Sequence, residues 1–438
     1  MINFSKNRIL EIGTCALVFL FVWQARWIIA AGKINGAGNE YLTISLYAIN
    51  ALLVTLLLLK FFLIKKKTTF SGLFGNANNV AVFFLTSFVV WNGISIFWAA
   101  NKLLALQHFA WLLLAMGLAW LLINCQNKFE LIAWFLVGLS VSAWLGIFQF
   151  VAQFSYSNKW LGLSQHNPGL PGASIVEFYA GSETIRWLRS YGSFDHPNIF
   201  GVMMAIGIIL TLWLLLEKEG GKNEKRLLNI ALLVFAVGIF TSLSRSAWLG
   251  LFLALVFVLS KLFLQKSNQK IYKLIKLCLP MLVVFIVMIF LYPAQFFMRS
   301  GGDGRLEQRS LNDRVIFFEQ GRDLIAQNWL LGVGTGNYME ALSVEHEASP
   351  DWTFQPVHNV LILLWAELGI MGASLGLILL IIGLIMAWQK TQFGVELIVA
   401  TLPAMIVDHW LWSLHFGLLL IGFIVGLTIK FSNYENRN

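Results

Sequence analysis

"PVHNVLILLWAELGIMGASLGLILLIIGLIMAW", residues 356–388, decides the fold class. From His358 onward the run is almost wholly apolar, and Glu367 is its one charged residue. About 20 helical residues cross a hydrocarbon core of roughly 30 Å, so this run is more than long enough. Similar runs recur along the whole chain. Its 438 residues are 58% hydrophobic and 12% charged, with a mean hydropathy of +0.73. A soluble protein of this size would carry roughly twice that charge. The runs are continuous and do not alternate, which disfavours a β-barrel. The expected class is an all-α polytopic membrane protein, and the lipid bilayer is its first partner. Nucleic acid is not an expected partner.

Outward from that run, spans are expected near 9–31, 41–64, 79–98, 104–124, 129–152, 196–216, 227–243, 246–264, 276–293, 358–388, 395–410 and 413–430, about twelve in all. The first is too long for a cleaved signal and reads as a retained span. Cys15, Cys125 and Cys278 have no disulfide or metal spacing. Lys65, Lys66 and Lys67, then Lys218, Lys222, Lys225 and Arg226, then Lys266, Lys270, Lys273 and Lys276 follow even-numbered spans. Basic loops favour the cytoplasmic side, so both termini are expected there, in a cytoplasmic (inner) membrane. Residues 1–438 then form a single membrane domain. Residues 153–195 form one outer loop and 294–357 a larger one, together expected as a helical periplasmic cap.

The lysines obey that topology, but arginines gather in the outer segments. A guanidinium offers a planar, permanently charged fork suited to phosphate oxygens. If the segments are helical, acids three or four residues away would pair with them. Arg186 has Glu183, Arg299 has Asp303, Arg309 has Asp313 and Arg322 has Glu319. Arg189, Arg245, Arg305 and Arg314 have none, and Arg305 sits in a glycine-rich loop. Arg189, Arg245 and Arg314 are therefore the candidate phosphate ligands. An interfacial anchor is the plain alternative for Arg245. A solvated charge on an amphipathic surface helix with Leu311, Val315, Phe318 and Ile325 on one side is the alternative for Arg314.

"RSYGSFDHPNIFG" (189–201), "SLSRSAWLG" (242–250), "RVIFFEQGRDLIAQNWLLGVGTGNY" (314–338) and "HNVLILLWAELGIMG" (358–372) stand in the order seen in the O-antigen ligase and O-antigen polymerase superfamily. The chain resembles that superfamily over about residues 189–372. The resemblance implies a GT-C-like fold and a glycosyltransferase that needs no metal or cofactor. It implies a donor glycan carried on undecaprenyl diphosphate and an acceptor glycan, glycolipid or protein, met on the periplasmic or extracellular face. It carries the family's key residues onto Arg245, Arg314 and His358, with Arg189 at a less strict basic position.

The chemistry of the residues agrees with that reading. A neutral imidazole takes a proton from a sugar hydroxyl as attack proceeds, and His358 opens a helix after Pro356. Arginines aimed at the departing diphosphate stabilise charge that grows in the transition state. The outer segments carry no Asp-x-Asp pair and the histidines no zinc spacing. His166, His196 and His346 compete for the role of base. Asn359 either caps the helix or contacts sugar. Glu367 either partners an arginine or satisfies backbone where Gly369 and Gly372 interrupt the helix. A polymerase of the same superfamily is the alternative to a ligase. A lipid-linked glycan flippase is the alternative from another class, although mid-span charges are few, Arg26 and Glu367 being the main ones.

Overall fold

A computed structural model describes residues 6–63, 79–218, 220–301, 304–345, 354–390 and 394–435. The chain begins with α1 (Lys6–Leu20), then β1 (Arg26–Ala30), β2 (Lys33–Ile34), β3 (Ala37–Gly38) and β4 (Ile44–Tyr47). Four helices follow: α2 (Ala48–Leu63), α3 (Asn79–Ser95), α4 (Lys102–Ile123) and α5 (Lys128–Ala152). A hairpin of β5 (Ile175–Ala180) and β6 (Glu183–Leu188) precedes α6 (Pro197–Glu217), α7 (Lys222–Thr241), α8 (Arg245–Leu264) and α9 (Asn268–Leu291). Shorter or more polar helices come next: α10 (Pro293–Gly301), α11 (Arg305–Asn328) and α12 (Tyr338–Glu345). The chain closes with α13 (Val360–Lys390), α14 (Val395–Val407), α15 (Trp410–Ser413) and α16 (His415–Glu435).

Among the described residues, α4, α5, α6, α8, α9 and α13 are long and apolar enough to cross a membrane, and α2, α3, α14 and α16 are shorter apolar helices. The protein is therefore a multi-pass, mainly helical membrane protein. Helices α1 and α7 fall in neither group: α1 has 15 residues, and α7 opens on Lys222, Glu224, Lys225 and Arg226. Lys65, Lys66 and Lys67 lie outside the described residues.

Two expected spans are corrected. The stretch 9–31 is helical only to Leu20, and 41–64 becomes helical only at Ala48. Between them β1 pairs with β4, Arg26 opposite Tyr47, and β2 pairs with β3 around Asn35 and Gly36. Both turn residues have positive φ, 51° and 87°, as a two-residue type I′ hairpin needs. "KINGAG" is a turn signal that hydropathy alone conceals. Arg26 is thus no mid-span charge; it pairs with Glu40. The small two-stranded sheets also amend the all-α expectation.

The helices begin at polar caps. Asn101, Asn127 and Ser244 accept backbone N–H bonds from Leu104, Glu130 and Ala247, which supplies orphan donors at those helix starts. Helix α6 is the post of the bundle. It is buried along its whole length and packs against α5, α7, α8, α9 and α14. Elsewhere small residues set the spacing, as expected where lipid gives no hydrophobic drive between helices. Gly422 and Gly426 of α16 lie directly over Ala115 and Ala119 of α4.

Candidate active site

At the N-terminal end of α6, His196 is the cap. Its Nδ1 accepts the Asn198 N–H at 3.1 Å, and its Nε2 meets Ser174 Oγ at 2.9 Å. Burial pushes the ring down to about 3, so it stays neutral. Both ring nitrogens are engaged, which removes His196 from competition for a proton. Asn198 then bridges two charges. Its Oδ1 accepts from Arg189 Nη2 at 2.9 Å, and its Nδ2 donates to Asp408 Oδ2 at 2.9 Å. Arg189, itself buried, also donates from Nε to the Ser242 carbonyl at 2.8 Å, at the α7–α8 turn.

Asp408 ends α14, and His409 follows before α15. The His409 N–H donates to Asp408 Oδ1 at 2.9 Å. The His409 ring meets Ser413 Oγ at 2.7 Å and Tyr41 Oη at 3.4 Å. Burial raises the Asp408 carboxyl, but His409, His358, His196 and the Asn198 hydrogen bond outweigh it and leave it below its ordinary value.

His358 is brought to this pair by its neighbour. Asn359 Oδ1 accepts the Leu361 and Ile362 N–H groups at 3.0 and 3.1 Å, which caps α13. Its Nδ2 donates to the Ile406 carbonyl at 3.0 Å, which ties the start of α13 to the end of α14. The His358 ring stacks on Phe317 of α11, with centroids 5.4 Å apart and planes 10° from parallel. It meets the edge of His409 at 4.9 Å. Burial lowers its pKa below 6.5, Asp408 opposes that, and Arg314 adds to it. The imidazole is therefore neutral at pH 7. Its Nδ1 is buried without a hydrogen-bond partner among the described residues, and the Pro356 backbone raises the ring's pKa against the effect of burial.

The arginines correct the pairing read from local spacing. Arg245 is not free: its Nη2 donates to Glu307 of α11 at 2.8 Å. The same buried carboxylate takes Arg299, whose Nε also donates to the Leu243 carbonyl at 3.0 Å. Asp303, the expected partner of Arg299, lies outside the described residues, as does His346. Arg186 pairs with Glu177, its partner across the hairpin, instead of Glu183. Arg305 also joins Glu177, at 2.8 Å. Arg322 takes Asp323 instead of Glu319. Arg309 does pair with Asp313. Arg314, half-buried, has no ion pair or hydrogen bond among the described residues. Burial, then Arg189, Arg245 and Arg314, push the Arg299 guanidinium down to about 8. Four guanidiniums thus crowd one end of the bundle closely enough to oppose each other's charge, the mark of a site built for an anion.

Glu367 lies deeper and faces the glycine-rich turn 332–338. Its Oε2 accepts the Gly336 N–H at 2.9 Å and the Trp412 Nε1–H at 2.8 Å. Its backbone carbonyl accepts the Gly334 N–H at 2.8 Å. No arginine contacts it among the described residues. Tyr338 is buried and unavailable to stack on a ligand, whereas Trp329 is exposed. His166 stacks on Tyr191 at 3.9 Å, away from His358.

Sequence reasoning missed Asp408, His409, Asn198 and Glu307. The signal for the first two was present: "DHW" places an acid and a histidine inside a run read as a continuous span. His358, Asp408 and His409 each offer an atom within 4.8 Å of the others, a spacing that suits a divalent cation. The surrounding guanidiniums oppose one electrostatically, and both Asp408 oxygens already accept hydrogen bonds.

Among curated proteins none matches this chain. Residues 230–377 match the family model described as O-Antigen ligase. The match spans Arg245, Glu307, Arg314, His358 and Glu367, but not Arg189, Asn198 or Asp408. Over that stretch the chain is similar to the O-antigen ligase family, whose members are membrane enzymes of glycan transfer, and the four motifs and the apolar helices agree with that similarity.

Proposed function

We propose that the protein transfers a glycan from undecaprenyl diphosphate to an acceptor hydroxyl, without a metal ion, on the outer face of the cytoplasmic membrane. The observation that carries this reading is a neutral His358 next to Arg314, one of four arginines gathered at the same end of the bundle. Four guanidiniums face two carboxylates, Glu307 and Asp408, with His196, His358 and His409 neutral. The surplus is two positive charges, which a diphosphate diester, doubly negative at neutral pH, would balance. Arg245, Arg314 and Arg189 are assigned to the donor diphosphate, Asn359 and Glu367 to support. The lysines favour this face. Lys218 follows α6, Lys222 and Lys225 open α7 and Lys261 lies late in α8, all at helix ends remote from the arginines.

In this reading the acceptor oxygen attacks the anomeric carbon and its proton passes to the His358 imidazole. The carbon–oxygen bond to the diphosphate breaks, and its electron pair leaves on the diphosphate oxygen, where the arginines meet the added charge. Direct displacement inverts the anomeric centre. Asp408, with an atom within 4.8 Å of the ring, steadies the imidazolium that forms.

Reconstitution with undecaprenyl-diphosphate-linked oligosaccharide and candidate acceptors, read by mass spectrometry, tests the proposal. A single transfer to lipid or protein marks a ligase, a ladder of repeats marks a polymerase, and donor crossing without transfer marks a flippase and overturns the reading. His358→Ala should lower turnover by about 10²- to 10⁴-fold while donor still binds. Near-normal turnover would remove His358 as the base.

A further inference from the structure

The carboxylate of Glu307 sits in an odd place for a site that binds an anion. It is buried, 7% exposed, and holds both Arg245 and Arg299. Arg299 is fixed a second time by the Leu243 carbonyl, so the pair of arginines cannot simply swing away from the acid. A buried acid of this kind weakens attraction for every anion that enters. That is a cost unless the weakening discriminates between two anions.

Two such anions exist if the donor is a lipid-linked diphosphate, and the inference rests on that reading. The donor is a diphosphate diester with two negative charges. The leaving product is a monoester whose freed terminal phosphate gains an oxygen with a pKa of about 6, and so carries close to a third charge at neutral pH. A positive cluster holds the product more tightly than the donor, and each further unit of positive charge widens that difference. We propose that Glu307 trims the charge of the arginine cluster so that the spent diphosphate is released faster than the arginines alone would allow, with Arg299 as its positioning partner. Glu307 touches no reacting atom; it acts through Arg245 and Arg299.

Purified full-length protein in lipid nanodiscs allows a direct test. Undecaprenyl diphosphate serves as product inhibitor, and multiple- and single-turnover rates are measured side by side. Glu307→Gln keeps the side-chain shape and raises the surplus to about three charges. The product inhibition constant should fall about tenfold, more than the donor KM falls, and the steady-state rate should drop further than the single-turnover rate. The double variant Glu307→Gln/Arg299→Gln returns the surplus to two and should return the inhibition constant towards wild type. The uncapped prenyl diphosphate should compete more strongly than a methyl-capped one with two charges, and Glu307→Gln should widen that gap. An unchanged inhibition constant in Glu307→Gln, or a gap between capped and uncapped compounds that Glu307→Gln leaves unchanged, overturns the role of Glu307 and leaves the donor assignment standing. Wild-type protein indifferent to every diphosphate overturns the donor assignment itself, and the proposal with it.

Discussion

At His358 the useful quantity is the proton affinity of one nitrogen. Burial lowers its pKa below 6.5, so the base form is full at pH 7 and is lost only as pH falls through that lowered value. The acid limb of kcat/KM should therefore lie below pH 6.5, and a limb centred above it would contradict the assignment. Asp408 raises the His358 pKa. Asp408→Asn should thus shift the limb to still lower pH and cut kcat by about 10²- to 10⁴-fold. A variant that merely loosened the fold would not move the limb in that direction. At this scale the sequence was only partly legible. Histidine and arginine types pointed to phosphate and proton chemistry, and four motifs pointed to a superfamily. The partners were hidden because they are tertiary: Glu307 stands 62 residues from Arg245, and Asp408 stands 210 from Asn198. A search three or four residues either side sees neither.

Among the elements, α13 depends on its break. Gly369 has φ 65° and ψ −175°, a conformation close to exclusive to glycine. The break frees backbone carbonyls inside an apolar region, and each finds a donor. Val333 and Gly334 donate to the Ala366 and Glu367 carbonyls at 2.9 and 2.8 Å, and Trp91 Nε1 donates to the Leu368 carbonyl at 2.8 Å. A Cβ at Gly369 would stand 2.0 Å from the Leu330 carbonyl oxygen. Gly369→Ala should therefore destabilise the protein by at least about 3 kcal/mol, seen as a large loss of melting temperature in detergent. The length of the 356–388 run and its glycines made this break readable in advance. The hairpins were not readable by hydropathy, because apolar strands such as "RWIIA" continue the greasy runs of α1 and α2. Helix α11 was half readable. Leu311, Val315 and Phe318 are exposed as a surface face would be, while the stripe of Phe317, Gln320 and Leu324 packs inward and supplies the wall against His358.

For the whole molecule the testable quantity is sidedness. The native cysteines are buried or half-buried, so single added cysteines report cleanly. Trp160→Cys, on the exposed loop after α5, should react with an impermeant maleimide in intact cells. Lys222→Cys should react only after the membrane is opened. The reverse pattern would invert the proposed orientation and put the arginines on the cytoplasmic side. Composition alone made the membrane class legible, while the span count stayed approximate because α1 and α7 are short or charged at one end. The burial of α6 also has a meaning in time. This helix leaves the ribosome before α7, α8, α9 and α14 exist, so its apolar sides must first rest in lipid and later exchange lipid for protein. Asp408 arrives only with the end of α14. A nascent chain stopped before residue 395 would already hold α6, Arg245 and His358, yet would lack the acid that faces both His358 and Asn198. Under the proposed reading, the acid that faces the base is therefore the last part of the site to be made.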